Sequence, residues 1–119
     1  MIRFSRRRFG QGGLLTLAFF TVAGRGVAND VPANAVIHIR DFAFHPPLLE
    51  IRVGDSVTWT NGDLVPHTAS AGDGSWDTDE LGRNESAQVT FGAPGDFPYT
   101  CAFHPAMTGR VLVRPRDGA

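Results

Sequence analysis

The chain has 119 residues with a formal net charge of −1, 42% of them hydrophobic and 19% charged, the proportions of one ordinary globular domain. It contains no lysine, since all 11 basic residues are arginine, and this excludes Schiff-base chemistry and a lysine base. A single cysteine excludes an internal disulfide.

The N-terminal stretch SRRRFGQGGLLTLAFFTVAGRGVAN has a charged head, a mildly apolar middle and a small-residue end, the order of an export signal. Arg6 and Arg7 follow Ser5 and precede Phe9 by two residues, which resembles the twin-arginine signal of bacterial proteins exported in the folded state. The apolar run from Leu14 to Ala23 is about half of the ~20 residues that span a bilayer. A signal at 1–28, cleaved after Ala28, followed by one domain at 29–119 in the periplasm is therefore expected, with an uncleaved anchor as the alternative. Arg3, Arg6, Arg7, Arg8 and Arg25 lie in the signal, whereas all 12 acidic residues lie at or beyond Asp30. The remainder carries a net charge of about −6, a poor match to nucleic acid, whose phosphates demand clustered positive charge.

Beyond the signal, short strand patterns alternate with turn residues, and no amphipathic helical window of useful length appears. AVIHIR at 35–40 sets Ile37 and Ile39 against Val36, His38 and Arg40, and Phe42 and Phe44 keep the period of two. LLEIRV at 48–53 offers Leu49, Ile51 and Val53 as one face, Gly54-Asp55 turns the chain, and SVTWT at 56–60 points Val57 and Trp59 inward. SAQVTF at 86–91, FPYTC at 97–101 and GRVLVR at 109–114 complete the set, punctuated by Asn61-Gly62, Gly72-Asp73-Gly74 and Pro94-Gly95. Such strands, without helices for parallel crossovers, predict an all-β antiparallel Greek-key sandwich. The irregular acidic stretch from Ser70 to Glu85 has room for a short helical turn, and reads as a solvated face or as a surface that steers a basic partner.

Chemistry concentrates in CAFHPAM, residues 101–107, which holds the only cysteine, a histidine and the sole internal methionine. An exported domain of roughly 90 residues is often stapled by disulfides, so an unpaired thiol in an oxidising compartment needs burial or a metal to protect it. Cys101 ends a strand, and Phe103 to Thr108 are expected to turn the chain into GRVLVR. The i, i+3, i+6 spacing of Cys101, His104 and Met107 lets a tight turn aim all three side chains at one point. A fourth ligand must come from elsewhere. His67, behind Pro66 in a loop after SVTWT, is the best candidate, whereas His38 and His45 read as solvent-facing. Two imidazoles, a thiolate and a thioether exclude the hard ions magnesium and calcium. Zinc accepts Cys and two His with a water, but leaves the correctly spaced methionine without a role. A trigonal His-His-Cys site with a weak axial Met is the blue-copper arrangement.

VTWTNGDLVPHT followed by PGDFPYTCAFHPAMTGRVLV resembles the cupredoxins, small exported blue-copper electron carriers, and the resemblance covers about Ala35 to Arg114. Within them the C-x-x-H-x-x-M spacing with Pro after His is most similar to the amicyanin branch. The resemblance implies one copper ion held by His67, Cys101 and His104 as strong equatorial ligands and by Met107 as the axial one. It further implies a monomeric electron carrier, not an enzyme, that docks transiently with redox proteins such as an amine dehydrogenase or a cytochrome. Many cupredoxins carry Asn directly after the first ligand histidine to tie the ligand loops together, and this chain has Thr68, whose hydroxyl is the available substitute. Pro66, Phe103, Pro105 and Ala106 are expected to surround His104 with apolar surface and make its ring edge the electron port.

Three competitors remain on sequence grounds. A Cys-His hydrolase lacks a visible third orienting residue and leaves Met107 unexplained. A copper oxidase or nitrite reductase needs a second, histidine-rich copper site, which four histidines cannot supply. A copper storage or delivery protein is the alternative function, and calls for exposed Met-rich or His-rich tracts that the sequence does not contain.

Overall fold

Period-two alternation forces each strand to bury one face, and two sheets that do so satisfy each other by stacking. A computed structural model describes residues 31–116 and the backbone of 2–7. The strands are β1 (Ile2–Arg7), β2 (Asn34–Arg40), β3 (Ala43–His45), β4 (Leu48–Arg52), β5 (Ser56–Asn61), β6 (Ser70–Ala71), β7 (Ser86–Phe91), β8 (Gly95–Cys101) and β9 (His104–Arg114). One sheet has the order β1-β7-β5-β2-β3, the other β4-β9-β8-β6. The export signal expected at 1–28 lies outside the described residues except for the backbone of β1, which pairs antiparallel with β7. Among the described residues no helix is long and apolar enough to cross a membrane.

The all-β sandwich follows the alternation read from the sequence, with a refinement. The pairs β2–β5 and β4–β9 run parallel, so both sheets are mixed. Between β2 and β5 the chain forms β3 at a sheet edge and β4 in the other sheet. Crossing the sandwich and returning lets two neighbours run the same way without a crossover helix.

Ile37, Ile39, Val57, Trp59, Val89, Phe91, Val111 and Val113 are buried, as the alternation predicts. Each such side chain stabilises the fold by about 1.5–3 kcal/mol on burial. Their centre is aromatic: Trp76 stacks on Trp59 with ring centroids 5.0 Å apart, and Tyr99 meets Trp59 edge-on at 5.4 Å. Burial pushes the Tyr99 phenol above its ordinary value, so the ring stays neutral. Tyr99 lies opposite Gly109 in the β8–β9 ladder, and a Cβ at that glycine would collide with the Tyr99 ring.

Three local expectations differ from the structure. Residues 70–85 contain no helical turn; they form an extended excursion pinned by buried Trp76, Thr78 and Leu81, with Thr78 Oγ1 accepting the Ala69 N–H at 2.9 Å. Phe42 does not continue the alternation of β2, because Asp41 and Phe42 are the two-residue turn between β2 and β3 and have φ of 55° and 56°. Positive φ at both central positions is the type I′ geometry, favoured in two-residue hairpins because its twist matches that of the flanking strands. Finally, the turn after Cys101 is shorter than the sequence suggests: β9 begins at His104, and Cys101 and His104 face each other across Ala102-Phe103.

Candidate metal centre

Three segments meet at one end of the sandwich: the loop after β5, the β8–β9 turn and the β2–β3 turn. Asn61, fully buried at the end of β5, organises the first of these. Its Nδ2 donates to the carbonyls of Val65 and Leu81, both at 2.9 Å, and its Oδ1 accepts the Asp63 N–H at 2.8 Å. The backbone of His67 is then held from outside the loop, exchanging hydrogen bonds of 3.1 and 2.8 Å with Leu81. The sequence suggests a turn role for Asn61, and the structure makes it the hub that delivers the loop to His67.

His67 and Cys101 are both wholly buried, and His104 is partly buried. His67 Nδ1 lies 3.7 Å and His104 Nδ1 3.8 Å from Cys101 Sγ. The three donor atoms lie within 4.8 Å of one another. An ion about 2.0–2.1 Å from nitrogen and 2.3 Å from sulfur, with bond angles near 120°, separates nitrogen from sulfur by about 3.8 Å. The two nitrogen–sulfur spacings therefore match those of a trigonal site.

The tautomers suit a metal as well. His67 Nε2 stands 2.8 Å from Asp63 Oδ2, and because a carboxylate only accepts, the proton resides on Nε2. That leaves the Nδ1 lone pair facing Cys101. The carboxylate also accepts the backbone N–H groups of Asp41 and Phe42 at 2.8 and 3.0 Å. Burial pushes the Asp63 carboxyl up, but the hydrogen bonds from Phe42, His67 and Asp41 more than offset this, and it lies below the ordinary carboxylate value.

Thr68 ties the two ligand loops together, as the sequence suggests its hydroxyl could. Its Oγ1 accepts the Ala102 N–H at 2.8 Å and contacts Ser70 Oγ at 2.9 Å, and its own N–H donates to Cys101 Sγ at 3.4 Å. A backbone dipole aimed at the sulfur stabilises the thiolate. Met107 is buried on β9, three residues beyond His104. His38 is exposed and His45 partly so; they face each other across β2 and β3 rather than joining the site.

Two residues of the site escape sequence reasoning. Asp63 stands four residues before His67, a spacing with no meaning outside a helix until the loop is folded. Phe42 lies far along the chain from both histidines, yet its ring meets His67 edge-on at 5.1 Å and His104 at 5.0 Å. Beside the partly exposed His104, Phe42 lines one hollow with Leu64 and Val65, and these three side chains and Phe103 are exposed to solvent, as are Pro66, Pro105 and Ala106.

The family model for copper-binding proteins of the plastocyanin/azurin family matches residues 31–114. Amicyanin of Paracoccus versutus is 32% identical over 92 residues, covering 72% of this chain and 70% of that protein. Amicyanin-alpha of Methylorubrum extorquens is 36% identical over 90 residues, covering 71% and 76%. Among solved structures, a Cu(I) methionine-to-glutamine variant of amicyanin superposes with a TM-score of 0.64 at 28% identity, covering 68% of this chain and 82% of that one.

Proposed function

The chain belongs to the plastocyanin/azurin family of copper-binding proteins, and we propose that it is a periplasmic one-electron carrier whose single type 1 copper ion is held by His67, Cys101, His104 and Met107. The observation that carries this reading is the convergence of two imidazole Nδ1 atoms on one buried cysteine sulfur. Bound copper supplies the Cu(II)/Cu(I) couple.

The chain supplies a fixed setting for that couple. Cys101 ends β8, His104 begins β9 and Met107 lies within it, so three of the four ligands belong to one hairpin whose ladder limits their movement. His67 comes from a loop clamped by Asn61 and Leu81. Thr68 joins the two segments through its hydroxyl and amide. Small movement of the ligands between oxidation states favours rapid transfer. Buried His67 and Cys101 keep water from the strong donors, while the partly exposed ring of His104 meets Phe42, which shares an exposed apolar surface with Leu64 and Val65. That surface suits brief docking to a redox protein through a small contact, with an amine dehydrogenase or a cytochrome as the class of partner. Export through a twin-arginine signal at 1–28 brings the folded domain to the periplasm.

The test is addition of Cu(II) to the purified protein. An intense blue that is reversibly bleached by a reductant supports the carrier. A colourless protein that retains zinc, or rapid loss of copper to a chelator as a delivery protein would show, sinks it.

A further inference from the structure

We infer that Asp63 is a positioning residue that sets the reduction potential of the metal centre, by holding His67 from behind and clasping the β2–β3 turn over both ligand imidazoles. The inference rests on the reading of His67 as a copper ligand.

The turn is the unusual element. Asp41 and Phe42 both have positive φ, where a non-glycine residue costs about 1–2 kcal/mol, and a bulky aromatic in that region is an outlier. The turn carries no glycine to relieve this. Its two backbone N–H groups instead converge on the two oxygens of Asp63, at 2.8 and 3.0 Å, from 22 and 21 residues away in the chain. The strained turn is thus held by a tertiary contact. It also places Phe42, half-exposed, edge-on to His67 and to His104. One carboxylate therefore fixes the ring that covers the ligands and the ligand beneath it.

The same oxygen that accepts the Phe42 N–H accepts His67 Nε2–H at 2.8 Å, and the Asp63 side chain is only 14% exposed. A carboxylate behind an imidazole raises the basicity of the opposite nitrogen and fixes its orientation. A more basic Nδ1 and a nearby negative charge both favour the more highly charged ion, Cu(II), over Cu(I). Asp63 thereby lowers the potential. A staple confined to the loop would contribute to stability and leave the potential alone.

Asp63→Asn, Asp63→Ala and Asp63→Glu in the copper-loaded protein separate these roles. Asn retains an acceptor for His67 but loses the charge and part of the turn's acceptors. The blue colour is expected to persist while the reduction equilibrium moves toward Cu(I) by about tenfold, which for one electron is about 59 mV. Asp63→Glu, which keeps the charge, is expected to restore much of the wild-type value. An unchanged potential in blue Asp63→Asn and Asp63→Ala proteins overturns the inference. A second measurement needs no copper: nitrogen-15 shifts of the His67 ring in the metal-free protein should show a single Nε2–H tautomer, lost in Asp63→Ala. A wild-type ring that already exchanges tautomers overturns the clasp. If wild-type protein binds copper without colour, the blue-copper reading falls, and the ring measurement alone upholds or overturns the clasp.

Discussion

Two aspartates, one at each end of the sandwich, do the same chemistry for different ends. Asp55, in the turn between β4 and β5, accepts the Ala33 and Arg52 N–H groups at 2.9 and 3.0 Å and pairs with Arg116. Asp63 accepts the Asp41 and Phe42 N–H groups and pairs with His67. Each carboxylate is mostly buried, collects two backbone donors and one cationic or hydrogen-bonding side chain, and joins segments distant in sequence. The difference lies in the third partner. A guanidinium is always charged and only donates, with Arg116 Nε also reaching the Val53 carbonyl at 2.9 Å, so the Asp55 clasp ends in backbone and closes the chain where β2 begins and β9 ends. An imidazole has a second nitrogen, so whatever Asp63 does to Nε2 is passed on to the atom facing Cys101. The same local device is structural at one end and functional at the other because of what its partner can transmit.

The comparison can be pressed with substitutions that touch only one end. The largest effect is expected from Cys101→Ala, which should abolish the blue absorption completely while the protein unfolds cooperatively as before; a variant that stays blue would break the assignment of the thiolate. Next, Asp55→Ala removes the acceptor of the Ala33 and Arg52 N–H groups, at a cost of about 1–3 kcal/mol for each donor left unsatisfied. Urea unfolding should register that loss, whereas the copper spectrum and potential should not move; a shifted potential would show that the two ends are not independent. Met107→Leu should preserve copper binding and change the potential, read by redox titration of the blue band, and no change would remove Met107 from the ligand set. The smallest effect is expected from Thr68→Val, which strips the acceptor from the Ala102 N–H at a cost of about 1–3 kcal/mol. Thr68→Ser should recover most of it in the same unfolding measurement.

The hairpin of Cys101, His104 and Met107 is legible in the sequence because the three residues are local: spacing within seven residues limits where the side chains can go. His67 is harder, yet Pro66 and its place after a strand single it out from His38 and His45. The strands themselves follow from alternation, and the buried faces of β2, β5, β7 and β9 match it. What alternation cannot report is a residue whose partner is remote. Trp76 and Leu81 sit in a stretch that reads as acidic and irregular, yet Trp76 stacks on Trp59 and Leu81 holds the backbone of His67. Phe42 keeps the period of the preceding strand on paper, but the chain reverses under it, and it becomes a cover for the metal end. Gly109 reads as the first residue of the GRVLVR strand, and it is the space that admits the Tyr99 ring.

Chain order alone thus determined the class of the fold and pointed to a Cys-His-His-Met donor set and a soft metal, since these depend on residue type, alternation and short spacing. Only the tertiary structure decided that the sheets are mixed, that Thr68 bridges the ligand loops, and that Asp63 stands behind His67 while holding Phe42 above it. The physical reason is one of range. Hydrophobic periodicity and ligand spacing act over a few residues, whereas a carboxylate that meets amides 21 and 22 residues away acquires its role only when the sandwich brings them together.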